Sequence, residues 1–189
     1  MNSAARIDFA MVSSVSAEFP KGSWKEMKGS SLHAPTPRDS RARAWGPLGP
    51  LRNIGGNYAF LFPAADFQED QVIALDGPGG RKIPFIFSSS TQPTVDGLLV
   101  AYVGKAANLH QRFRWHFGLA KKNTGAQVQY GLVKAGACAD RGLAVDRMLR
   151  HCVIVYRELS GDENAANRDL LELSLCARFA PPFNIKSER

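Results

Sequence analysis

The sequence predicts an α+β fold, and three observations carry that prediction. Residues 57–63 read Asn-Tyr-Ala-Phe-Leu-Phe-Pro, an alternation of strand period entered through Gly55-Gly56. Leu98–Val103 and Cys152–Tyr156 are short, dense apolar runs of strand length, the second rich in β-branched side chains. Around them, apolar residues recur at helical spacing behind polar residues of the capping type. At 189 residues the chain is long enough for one domain with a real core and some extensions.

Taken in order, residues 1–52 are broken up by Pro20, Gly22, Gly29, Pro35, Pro37, Gly46, Pro47, Gly49 and Pro50. They read as an N-terminal basic arm, partly irregular or wrapped on the domain at 53–189, with a small basic run at Arg38, Arg41 and Arg43. In the strand at 57–63, Tyr58, Phe60 and Phe62 point one way and Ala59 and Leu61 the other. Residues 64–96 read as an insertion, a hairpin of Gln71–Leu75 and Ile83–Phe87 around the turn-forming Asp76-Gly-Pro-Gly-Gly80. That glycine-rich turn lacks the lysine and hydroxyl residue of a phosphate-binding loop. Leu98–Val103 is the next strand, stopped by Gly104.

A helix then opens at Asn108, with Leu109, Phe113 and Phe117 facing a core and Arg112 and His116 stacked on a flank. Helical segments near Gly125–Gly136 and Leu143–His151 follow the basic link of Lys121 and Lys122, and His151 reads as a structural or surface histidine and not as a catalyst. Ser160-Gly-Asp-Glu163 has the pattern of a capping box, opening a last helix that runs to about Phe179 and ends before Pro181-Pro182. Inside it Glu172 is embedded among leucines, where a charge without a partner is costly to bury. Either Glu172 faces solvent at the helix boundary or it faces a cation in a cleft.

The net charge of +7 is unevenly placed: residues 97–139 carry +6 with no acid between Asp96 and Asp140, residues 1–52 carry +4, and residues 53–96 carry −3. Basic excess of this kind favours a nucleic-acid partner. No basic amphipathic helix with an exposed apolar face argues for a membrane, no run is long enough to span one, and Asp8 breaks the one candidate leader. Cys138, Cys152 and Cys176 form no Cys-x-x-Cys, which fits a reduced, cytoplasmic protein without structural zinc.

Tyr102, Lys105, Arg112 and His116 converge within fifteen residues, with no acid among them, an arrangement suited to an anion. Tyr102-Val103-Gly104-Lys105, followed by Asn108-Leu109, Arg112 and His116, closely resembles the second motif and first helix of the GIY-YIG endonuclease family. Glu172, then Pro181 and Asn184, resemble that family's metal-binding glutamate and its terminal Pro-x-Phe/Tyr-Asn element. Gly56-Asn57-Tyr58 stands where the first motif belongs, with Asn57 replacing the usual branched aliphatic residue and 44 positions separating Tyr58 from Tyr102. The Arg-x-Arg-x-His run at Arg112–His116 and the enlarged hairpin resemble the restriction-enzyme members.

The resemblance implies an α/β sandwich built on a small three-stranded antiparallel sheet flanked by helices. It implies a metal-dependent DNA endonuclease, foremost a stand-alone restriction-type enzyme, with a homodimer on DNA as one arrangement. A repair or structure-specific nuclease, or a nuclease toxin, is the alternative; a non-catalytic nucleic-acid-binding module is a third reading. Glu172 would hold one Mg²⁺, with Mn²⁺ able to substitute. Arg112 would stabilise transition-state charge. Tyr58 or Tyr102 would position the water or act as general base; a phenol of pKa ~10 needs a cation nearby for that, and Lys105 is the candidate. His116 would bind phosphate or shuttle a proton, Asn184 would orient a tyrosine or a backbone group, and Arg114, Lys121 and Lys122 would extend the DNA contact. Trp115 reads as a surface or arm-packing residue and not as a base-stacker.

Overall fold

Tyr58, Phe60 and Phe62 alternate with Ala59 and Leu61 along a strand that is buried on both faces, so layers must cover it on each side. The computed structural model describes residues 24–32, 46–67, 71–76, 82–87, 93–118 and 127–184. Its strands are β1 (Trp24–Lys28), β2 (Gly56–Pro63), β3 (Gln71–Asp76), β4 (Lys82–Phe87), β5 (Thr94–Val95), β6 (Leu98–Ala106) and β7 (Val153–Glu158). The helices are α1 (Leu109–His116), α2 (Gln127–Lys134), α3 (Arg141–His151) and α4 (Ala165–Phe179). One face of the sheet packs Tyr58, Phe60, Phe62 and Tyr102 against Phe113, Val128, Leu132, Ala144 and Met148 of α1, α2 and α3. The other packs Ala59, Leu61, Val100 and Val103 against Leu175 and Phe179 of α4.

The sheet has five antiparallel strands in the order β1-β7-β2-β6-β5. The three strands expected from the sequence are its centre, and an edge strand is added on each side. β1 comes from the region read as an arm, and Leu32, Leu48 and Leu51 from the same region are buried in the core. An edge strand has one neighbour and needs little apolar alternation, and in β1 only Trp24 is fully buried. β5 is joined to β6 by Asp96 and Gly97, with φ of 48° and 74°, the paired left-handed geometry of a two-residue hairpin turn. The insertion forms the expected hairpin, β3 with β4, as a separate two-stranded sheet. Its glycine-rich turn, the run at Arg38–Arg43, and Lys121 and Lys122 lie outside the described residues.

β6 departs from simple alternation. Phe60 pairs with Tyr102 but Leu61 pairs with Val100, so Ala101 is an extra residue, a bulge. Leu99, Ala101 and Tyr102 therefore share the α1–α3 face, while Leu98, Val100 and Val103 share the α4 face. The bulge turns Tyr102 onto the face that carries Tyr58. Gly104 does not end this strand, as its residue type suggests; it lies inside it. Beyond β5 the outer edge of β6 is closed by the chain leaving α4. Phe183 N–H donates to the Ala101 carbonyl at 2.9 Å, and the Asn184 amide accepts from Val103 N–H at 2.9 Å and donates to its carbonyl at 2.8 Å. The Phe183 ring lies against Gly131 of α2, where any Cβ would collide with it.

Asn108 caps α1 as expected, its side chain accepting from Gln111 N–H at 2.9 Å. The capping box at Ser160–Glu163 does not form. Ser160 Oγ accepts instead from Gly55 N–H at 3.1 Å, and a 3₁₀ turn over Asp162–Asn164 leads into α4, which has no side-chain cap. α4 ends on Ala180 in the left-handed conformation, φ 44°, just ahead of Pro181-Pro182.

Candidate active site

Cross-strand register builds the first half of the site. Tyr58 lies opposite Gly104, and the two tyrosine rings are 6.0 Å apart between centroids. The absent side chain at Gly104 makes room for the phenol, since a Cβ there would sit 2.6 Å from Tyr58 Cζ and Oη. From α1, Arg112 Nε donates to Tyr58 Oη at 3.0 Å and its terminal nitrogen reaches Tyr102 Oη at 3.5 Å. His116 Nε2 shares a 2.8 Å hydrogen bond with the same Tyr58 hydroxyl. His116 is fully buried with Leu109 and Phe113, and not on an exposed flank. It touches Tyr58 but gives phosphate no direct approach.

Burial sets the protonation of this network. It pushes the Tyr58 phenol well above its usual value, with Tyr102 adding to the effect and the Arg112 charge opposing it without prevailing. Tyr102 is raised for the same first reason. Burial, and then the Arg112 charge, hold His116 well below the usual imidazole value, so it is neutral. Burial also works against the charge on Arg112, but Tyr58 and Tyr102 more than restore it.

The second half lies across the sheet. Lys105 is three residues beyond Tyr102 and so projects to the α4 side, where its Nζ is 3.0 Å from Glu172 Oε2 and 3.1 Å from Asp169 Oδ1. The cation beside the phenols is thus Arg112 and not the expected Lys105, because strand periodicity sends Lys105 the other way. Burial alone would lower the Lys105 pKa, but Glu172 and Asp169 hold it raised. Of the two placements open to Glu172, the structure takes the inward one: its side chain is 15% exposed against Lys105, while Leu170 and Leu173 beside it are 66% and 65% exposed. The Glu172 charge adds to burial in raising the Tyr102 pKa, with Arg112 opposing.

Arg112 from the first half and Lys105 and Asp169 from the second line a cleft of about 360 Å³ where β6 gives way to α1, together with Gln111, Trp115 and Arg168 among others. Arg168 is itself nearly buried and donates to the Leu159 and Gly161 carbonyls at 2.6 and 2.8 Å. No family model, curated protein or solved structure matches this chain.

Of the remaining expected site residues, Asn184 braces the backbone at Val103, one residue from Tyr102. Arg114 lies on α1 close enough to His110 to help lower that imidazole, after burial and together with Arg52. His151 is structural, its Nδ1 3.7 Å from Asp66 beside the Arg147–Asp66 pair at 3.2 Å. Sequence reasoning missed Arg168, Asp169 and the placement of Trp115. Asp169 carried a signal, three residues before Glu172 on one helix face; Arg168 carried none. Among the described residues no group of three or more His, Cys, Asp or Glu could hold a metal ion, and no helix is long and apolar enough to cross a membrane.

Proposed function

We propose that this chain is a metal-dependent DNA endonuclease of the GIY-YIG kind, with restriction-type cleavage as its leading role. The observation that carries the reading is the buried Tyr58–Arg112–Tyr102–His116 network on one sheet face, whose Arg112 lines a cleft together with Lys105, the partner of Glu172 on the other face. Arg112, anchored through Nε, is oriented to stabilise charge developing on a phosphate. With both phenols held neutral, neither serves as the base; they hold the Arg112 guanidinium in place. Glu172 fits a hard cation: it is a carboxylate already set 3.0 Å from one positive charge, with the Asp169 carboxylate reaching the same nitrogen. Mg²⁺ held there would supply Lewis-acid stabilisation of the phosphate and the departing oxygen. One strong acidic ligand leaves the other coordination positions to substrate and water.

The test is cleavage of supercoiled plasmid in Mg²⁺ or Mn²⁺. Wild-type protein is expected to nick or linearise it, and Glu172→Gln and Arg112→Ala are each expected to lose about 10²–10³-fold in rate. Retention of DNA by Glu172→Gln separates lost chemistry from lost binding. Wild-type protein that binds DNA but cuts none with either metal is a binding module, and the nuclease reading falls. Discrete fragments with one end sequence support restriction; cutting confined to flaps or branches supports repair, and smears support a toxin.

A further inference from the structure

Lys105, Arg112, Arg168 and Asp169 all line the cleft, but Lys105 is paired with Asp169 and Glu172 and Arg168 donates to two carbonyls, so Arg112 is the cation of the lining that stands beside Trp115. Along α1, residues 108, 111, 112 and 115 form a single stripe turned to this cleft, while Leu109, Phe113 and His116 turn to the core. Trp115 closes the stripe as an aromatic wall, and the Arg112 guanidinium lies 5.7 Å from its ring centroid. A volume of about 360 Å³ is at the small end for ligand pockets, which run from roughly 300 to 1,000 Å³, and holds one base with its sugar and phosphate.

An aromatic plane beside a planar cation accepts a base face of any sequence, and Arg112 takes the attached phosphate. A stacked base within a duplex has no face to offer, so the occupant must be unstacked. Gln111 and Asn108, both on the lining, supply amide groups for the base edge. We infer that this cleft seats one unstacked nucleotide of the DNA substrate, next to the phosphate held by Arg112, with its base on Trp115. The inference rests on the nuclease reading for its substrate. It adds that the preferred substrate has a flipped or single-stranded nucleotide beside the cut.

The experiment uses full-length protein carrying Glu172→Gln, so that nothing is cut, with a short single-stranded oligonucleotide and a duplex carrying one unpaired nucleotide as probes. Both are expected to quench tryptophan fluorescence, and Trp115→Phe in the same background should remove most of that quench while keeping most of the affinity. Trp115→Ala should weaken binding roughly five- to a hundredfold, as loss of one stacking contact does. Thermal melts of both variants check folding, and Trp115→Phe carries the test if Trp115→Ala unfolds. Quenching that persists in Trp115→Phe, or no binding of either probe, overturns the proposal. So does equal affinity of Trp115→Ala and its parent. The two readings fail separately: quenching through Trp115 in a wild type that never cuts sinks the nuclease alone, and plasmid cutting with a silent Trp115 sinks the nucleotide seat alone.

Discussion

Gly104 carries a tight steric demand in the candidate site, because a Cβ there would sit 2.6 Å from the Tyr58 hydroxyl. Gly104→Ala must displace a phenol that is bonded to both Arg112 and His116. Overpacking of that kind costs about 1–3 kcal/mol. The expected result is a lower Tm together with loss of plasmid cutting, read from a melt and a nicking assay on one preparation. His116 makes a second prediction at this scale. Folded, it stays neutral to well below its usual pKa, whereas the unfolded imidazole takes its proton near pH 6.5. As pH falls below about 6.5 the unfolded state binds more protons, so stability falls. Melts from about pH 7 to pH 5 should show a shallower decline for His116→Gln than for wild type. The tyrosines act at the other end: raised pKa values mean that stability is lost again above about pH 10.

Elements with a strong local signal were legible in the sequence. β2 alternates between two different chemistries of core, and α1 carries both its cap and its apolar face. The bulge in β6 was not legible, because Leu-Leu-Val-Ala-Tyr-Val is apolar in either register and a one-residue slip leaves no mark on composition. The capping box failed for a tertiary reason, Ser160 being taken by Gly55. The exit from α4 offers the prediction proper to this scale. Ala180 holds a left-handed φ of 44° that glycine adopts at no steric cost. Ala180→Gly should stabilise by about 1 kcal/mol, a rise of roughly 2–4 °C in Tm for a chain of this size, with cutting unchanged.

Across the whole molecule, the site exists because a sheet with different helices on its two faces brings both to one strand end. The residue types of the candidate site could be read from the chain, but which face each occupied could not. Lys105 and Glu172 were placed by sheet geometry and Trp115 by the α1 stripe, none of which a single sequence displays. The uneven charge has a measurable outcome at this scale. DNA affinity should fall steeply with salt, and Arg112→Ala should reduce the log–log slope by about 0.9 for duplex, the share of one phosphate contact. An unchanged slope would place Arg112 away from the backbone.

The sheet order has one more consequence, in the timing of synthesis. β1, the first strand, has β7, the last, as its sheet neighbour, and α4 with Glu172 comes later still. β2 and β6 with their tyrosines precede the rest of the site in the chain, whereas the carboxylate comes only at residue 172 and the brace only at Asn184. Such long-range closure is slow compared with local pairing. On the nuclease reading proposed above, a half-made copy would carry the tyrosines without the carboxylate.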